Sequence, residues 1–326
     1  MSQAEDPYTT LCSPPIFFSR NAFDVPAAVR VTDMTWSIMV MQNLSNSRGL
    51  SFPCSTYSLS MVLAERVGYW DVDANSVGED MHMWLKCFFK TECAARTVPI
   101  FVPINLTNVQ TTGYVSNIYA RYVQATRHMN GVADVAYTLK GAFLPKQQNS
   151  LDSKSILPSS NKYSNYFSFD NMRDKITVCF HVLEAHMIPC TSGWLMFAAV
   201  PVMQFLLFPP QSLLSYITPI ENPIVTSEFY ATLWNIVKIV TVLLPMPLFG
   251  MLAVYENLHR TVDRDLYRKT DSRTWKNIFD YVWLPVAAWL FMTLPSTVAC
   301  VKRLVKHEDK YVVAEKIFHE QLKSEF

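Results

Sequence analysis

A chain of 326 residues with 50% hydrophobic and only 17% charged side chains lies on the apolar side of globular composition, which points toward a membrane. Its 28 basic and 27 acidic side chains nearly cancel to +1, so there is no strong field to gather a polyanion, and nucleic-acid binding is set aside. Seven cysteines, at 12, 54, 87, 93, 179, 190 and 300, lack the C-x-x-C pairing of a zinc site and read as free thiols in a reducing compartment.

Residues 1–14 are polar and lack the apolar core of a signal peptide, which places the head in the cytosol. Ser55 to Val67 reads as a helix opened by a serine and stopped by Gly68. A loop from Tyr69 leads to a second helix, from about Glu79 to Lys90. Its apolar positions Met81, Trp84, Leu85 and Phe88 follow the spacing of one buried helix face. Thr97 to Val102 reads as a strand, and Tyr114 to Met129 as a third helix. That helix carries Val115, Ile118, Tyr119, Tyr122 and Val123 on an apolar stripe, with Arg121, Gln124 and His128 on another.

Turn formers between Pro145 and Asn165 mark a linker. Beyond it, Met187–Phe208, Ala231–Tyr255 and Tyr281–Val301 are apolar enough to span a bilayer. The second holds Lys238, Pro245 and Pro247, and the third Pro285 and Pro295, which spanning helices tolerate. Between the last two lie Arg260, Arg264, Arg268, Lys269, Arg273 and Lys276, a cytosolic segment by the positive-inside rule. The expected domains are therefore a head over 1–145, a linker and membrane-proximal helix over 146–186, a transmembrane region over 187–301 and a basic tail over 302–326. This describes a multi-pass protein of the plasma membrane or Golgi/ER, with a mixed α/β head before about three all-α spans and the lipid bilayer as its first partner.

Two patches of the head could carry chemistry. Glu79 and Asp80 open the second helix, where acidic residues commonly just complement the helix dipole, by about 0.3 to 1 kcal/mol. Gln124, Arg127 and His128 stand at i, i+3 and i+4, so they share one face and can converge on one anion; the plain alternative is a solvated face. Asn43-Leu-Ser and Asn105-Leu-Thr fit a glycosylation pattern that a cytosolic head never presents, and Met81, His82 and Met83 read as core rather than as a soft-metal site.

Taken together, these patches resemble membrane-bound family 2 glycosyltransferases of the GT-A type, especially fungal members. Val67-Gly-Tyr-Trp70-Asp71 and Val77-Gly-Glu79-Asp80 are similar to the family's Gly-Trp-Asp loop and Glu-Asp motif. Gln124 to His128 stands for its Gln-x-x-Arg-Trp motif, with His128 in place of tryptophan. The likeness also takes in Pro14 to Arg20 and Phe52 to Tyr57, over about residues 8–140.

The resemblance implies an inverting transfer from a nucleotide sugar to an acceptor hydroxyl. Asp80 is then the base with Glu79 in support, and Gln124, Arg127, His128, Trp70 and Asp71 line the substrates. It also implies a divalent metal, Mg or Mn, held by an Asp-x-Asp motif on a donor-binding half. Neither that motif nor a donor-binding βαβ region is found in this sequence, so the chain reads as the acceptor-side half of such an enzyme, with no metal-ligand residues assigned. Asp71-Val-Asp73 falls in the loop before Glu-Asp, and Asp263-Arg-Asp265 between spans. The alternative is a non-catalytic membrane protein that keeps a degenerate head for binding a partner; a transporter using Lys238 comes third.

Overall fold

The computed structural model describes residues 6–70, 79–144, 169–194, 228–243, 246–270 and 273–305. The chain forms two compact units, one made of residues 1–191 with 282–326 and the other of residues 192–281.

In the first unit, strand β1 (Thr10–Ser13) lies between β3 (Ser58–Leu59), which it pairs antiparallel, and β4 (Arg96–Pro99), which it pairs parallel. A second, parallel pair joins β2 (Ile16–Phe17) to β5 (Ile104–Asn105). The sheet is therefore mixed. Leu11 faces Leu59 and Thr97 across the two ladders and is fully buried.

Helix α2 begins later than its sequence pattern predicts, at Met61–Val67, because Ser58 and Leu59 are taken up by the ladder with β1. Its cap is Ser60, whose hydroxyl accepts the Leu63 amide, and it ends on Gly68 at a φ of 82°. Helix α3 (Glu79–Lys90) buries Met81, Trp84, Leu85 and Phe88, the face its periodicity predicts. These join Leu11, Leu63, Val67 and, from helix α6 (Phe169–His186), Val178 and Val182 in the main core. The expected strand at 97–102 is shorter. Pairing runs through Pro99, and Phe101 and Val102 are exposed.

Helix α1 (Ala27–Leu44) and helix α4 (Tyr114–Met129) build a second core with the last described helix (Trp275–Val305), through Val25, Ala28, Val29, Ala125, Ala287 and Phe291. Here α4 buries only part of its apolar stripe: Ile118 and Tyr122 pack partly buried against this core. Val115 and Tyr119 are 77% and 67% exposed, whereas Asn117, Ala120, Arg121, Ala125 and Met129 face inward. The reason is a partner for the polar stripe: α1 offers Asp33 to Arg121. Helices α5 (Ala133–Phe143) and α6 (Phe169–His186) pack together beside α3.

The last helix, Trp275–Val305, has 31 residues and is the only described helix long and apolar enough to cross a membrane. At 1.5 Å per residue such a helix reaches well beyond the roughly 30 Å of a bilayer core. It contains a π-turn at Trp289–Thr293 between Pro285 and Pro295. Three spans are thus not all seen. Residues 195–208 of the first expected span lie outside the described residues, as does the linker from 145 to 168, and helices Glu228–Leu243 and Met246–Thr261 occupy the second.

In the second unit, the segment whose basic charge set the expected topology is partly folded inward. Arg273 is fully buried, its Nε and Nη2 donating to the two carboxylate oxygens of Glu256 at 2.8 and 2.9 Å. A bidentate pair of this kind holds the end of Met246–Thr261 to the segment at 273.

Gly49 sits where only glycine fits. Its φ is +64° and an added Cβ would meet the Thr97 carbonyl oxygen at 2.9 Å. Gly49→Ala is expected to destabilise the first unit by about 1–3 kcal/mol, read as a lower urea midpoint at unchanged slope.

Candidate functional site

The start of α3 is held in place from both sides. Trp84, one turn along, anchors the helix through a hydrogen bond from Nε1 to Thr97 Oγ1 on β4, at 2.7 Å. Asp80 lies partly buried in the first turn and accepts the Met81 amide on Oδ1 at 2.8 Å. Burial raises its carboxyl above the ordinary carboxylate range, and the charges of Glu79 and Asp134 add to that. A carboxylate with a raised pKa takes up a proton more readily, which suits a general base.

His82, two residues on, places Nδ1 2.5 Å from Asp134 Oδ1 on α5, with the Tyr137 ring against its own at 4.7 Å. His82 is thus not plain core. It is tied to an acid beside the Glu79–Asp80 pair.

Trp70 donates through Nε1 to the Tyr57 hydroxyl at 2.7 Å, and Tyr57 lies within electrostatic reach of both Glu79 and Asp80. Trp70 is thus bonded to a residue that senses the charge of the acidic pair. Asp71, and Asp73 with it, lie outside the described residues.

The second patch approaches from α4. Arg121 is 1% exposed and pairs with Asp33 of α1 at 2.8 Å; its Nη1 donates to Gln124 Oε1 at 2.6 Å. Arg127 and His128 are half-buried, and the His128 ring stands edge-on to Trp36 at 5.7 Å. Cys54, in the stretch before β3, lies within electrostatic reach of Asp80 and of Arg121. Its thiol is pushed up to about 12 by burial and by the charge of Asp80, and Arg121 opposes that shift.

Asp33, Cys54, Tyr57, Arg121 and Asp134 were not singled out for the site by sequence. A signal existed for Asp33, the one charge in the run from Val31 to Val40. Nothing in the spacing of Cys54, Tyr57 or Asp134 reveals their place, because strand pairing and the α3–α5 packing bring them there.

The donor set for a metal can be tested on the same residues. Among the described residues no three His, Cys, Asp or Glu side chains are grouped to hold an ion. In Asp263-Arg-Asp265, Asp263 is buried 3.6 Å from His259 Nε2, whereas Asp265 is exposed and bonded to Arg264. These two carboxylates do not form a chelate, so the described residues do not fit a divalent cation and no step is assigned to one.

The first unit is thus a mixed α/β assembly with a raised carboxylate at the start of one helix. The sequence pattern of the glycosyl transferase family group 2 matches residues 2–294, and the chain belongs to that family. The match runs well past the motifs at 8–140 and into the last helix. No curated protein and no solved structure matches the chain.

Proposed function

We propose that the protein transfers a sugar from a nucleotide-sugar donor to an acceptor hydroxyl with inversion, at the cytosolic face of a membrane that its apolar helices cross. The observation that carries this reading is the Asp80 carboxyl, raised by burial and by two neighbouring acids at the start of α3. In an inverting transfer, one base removes the acceptor proton while the hydroxyl oxygen attacks the anomeric carbon and the nucleoside diphosphate departs. Asp80 takes that proton. Glu79 and Asp134 keep its affinity for protons high, and Trp70 on Tyr57 offers an aromatic face beside it.

Gln124 and Arg127 supply hydrogen-bond donors for the departing diphosphate. His128, edge-on to Trp36, occupies the place of the family's tryptophan. The exposed Val115 and Tyr119 of α4 and the 31-residue apolar helix support a seat against lipid. The basic segment between the apolar stretches supports multi-pass insertion with a cytosolic head.

The test uses the natural gene product in sealed membrane vesicles, given a panel of radiolabelled nucleotide sugars from the outer, cytosolic face. Transfer of one sugar with inverted anomeric configuration is expected. Labelled product of retained configuration, or no product from any donor, overturns the proposal.

A further inference from the structure

Arginine carries hydrogen-bond donors and no acceptor. The contact from Arg121 Nη1 to Gln124 therefore fixes which end of the amide faces inward: the carbonyl oxygen must, and it stands 2.6 Å away. The amide NH2 is left on the half-buried side of α4, where among the described residues it has no acceptor. Arg121 cannot turn away to release it, because the guanidinium is 1% exposed and pinned to Asp33, itself 3% exposed, at 2.8 Å.

A buried pair is a weak source of stability, since apolar residues of similar volume serve as well. The neighbouring contacts between α1 and α4 are apolar, through Val29, Ala28 and Ala125. An ion pair in that seam has another use.

We infer that the Asp33–Arg121 pair is a positioning device for Gln124, locking its amide so that the site is offered a hydrogen-bond donor and never an acceptor. A fixed donor selects for ligand oxygens that only accept, above all the anionic oxygens of a diphosphate. A freely flipping amide presents its carbonyl to that anion part of the time and is repelled. This rests on the proposed transfer reaction for the identity of the ligand, and it makes Asp33 and Arg121 positioning residues that act through Gln124.

The experiment measures binding of UDP and GDP to the natural gene product in lipid nanodiscs by titration calorimetry. Asp33→Leu with Arg121→Met replaces both charges together, so the melting midpoint is expected to stay near the parent while diphosphate affinity falls about tenfold, the worth of one hydrogen bond to a charged group. Arg121→Lys keeps a donor toward Gln124 and is expected to hold affinity within about threefold. On a Gln124→Met background the paired replacement is expected to change affinity no further.

An equal loss on both backgrounds means the pair acts on the fold and not through Gln124, which overturns the inference, as does unchanged affinity in the paired variant. Should the paired variant fail to fold, the Arg121→Lys and Gln124→Met proteins decide: affinity lost in the first or retained in the second overturns it. A parent protein that binds neither diphosphate overturns it as well. Asp80→Asn retains binding in every case, so failure of the base assignment shows in transfer alone.

Discussion

Asp80→Asn is expected to lower sugar transfer by about 10²–10⁴-fold, the usual worth of a positioned general base, with binding of the nucleoside diphosphate retained. The substitution keeps the shape and a hydrogen-bonding oxygen for the Met81 amide, so the first turn of α3 survives. It also has a consequence for stability that a structural residue would not show. Burial first, then Glu79 and Asp134, raise the folded carboxyl above its unfolded value.

The folded chain therefore binds this proton more tightly than the unfolded chain, and stability is present below the unfolded pKa and lost as pH rises through the folded one. Asparagine removes that loss. The variant is expected to melt higher than the parent at pH 7 and level with it at a pH below the ordinary carboxylate range. Greater stability together with lost transfer marks a site where function sets the charge. A variant that melts lower at pH 7, or transfers at the parent rate, removes Asp80 from the role of base.

Trp84→Ala is expected to cost the first unit about 3–5 kcal/mol, as other buried tryptophan truncations do. The indole is fully buried, stacked on Phe88 at 5.3 Å and edge-on to Phe52 at 5.1 Å. Losing its N–H leaves no orphan, because Thr97 Oγ1 also donates to the Ser51 carbonyl at 2.7 Å. The cost is thus mainly the cavity. Hydrogen exchange of the α3 amides reads it directly, as protection lost by about two to four orders of magnitude. Protection within tenfold of the parent would mean that α3 is held by something other than this anchor. Since α3 carries Glu79, Asp80 and His82, loosening it is also expected to lower transfer.

The helices that carry the site were legible because their own residues specify them. Periodicity placed α3 at Glu79–Lys90 and α4 at Tyr114–Met129, and Gly68 at a positive φ ends α2. Where a helix competed with a ladder, the ladder decided. Ser58 and Leu59 pair with β1, a choice set by residues more than forty positions away. The same holds for the strand at Arg96–Pro99, whose length is fixed by how far β1 runs beside it.

By itself the sequence determined the apolar character of the chain, the helices that bear Asp80 and Gln124, and the motifs that place it among family 2 glycosyltransferases, a membership the match over residues 2–294 shows. Only the tertiary structure decided which way α4 turns. An apolar stripe is buried when the burial of carbon dominates, but here Asp33 on α1 needs a cation, and leaving either charge unpaired in that seam costs more than exposing Val115 and Tyr119. The same packing put Asp134 and Cys54 within electrostatic reach of Asp80. Spacing along the chain carries no trace of such neighbours, because their distance is set by how helices and strands close on one another.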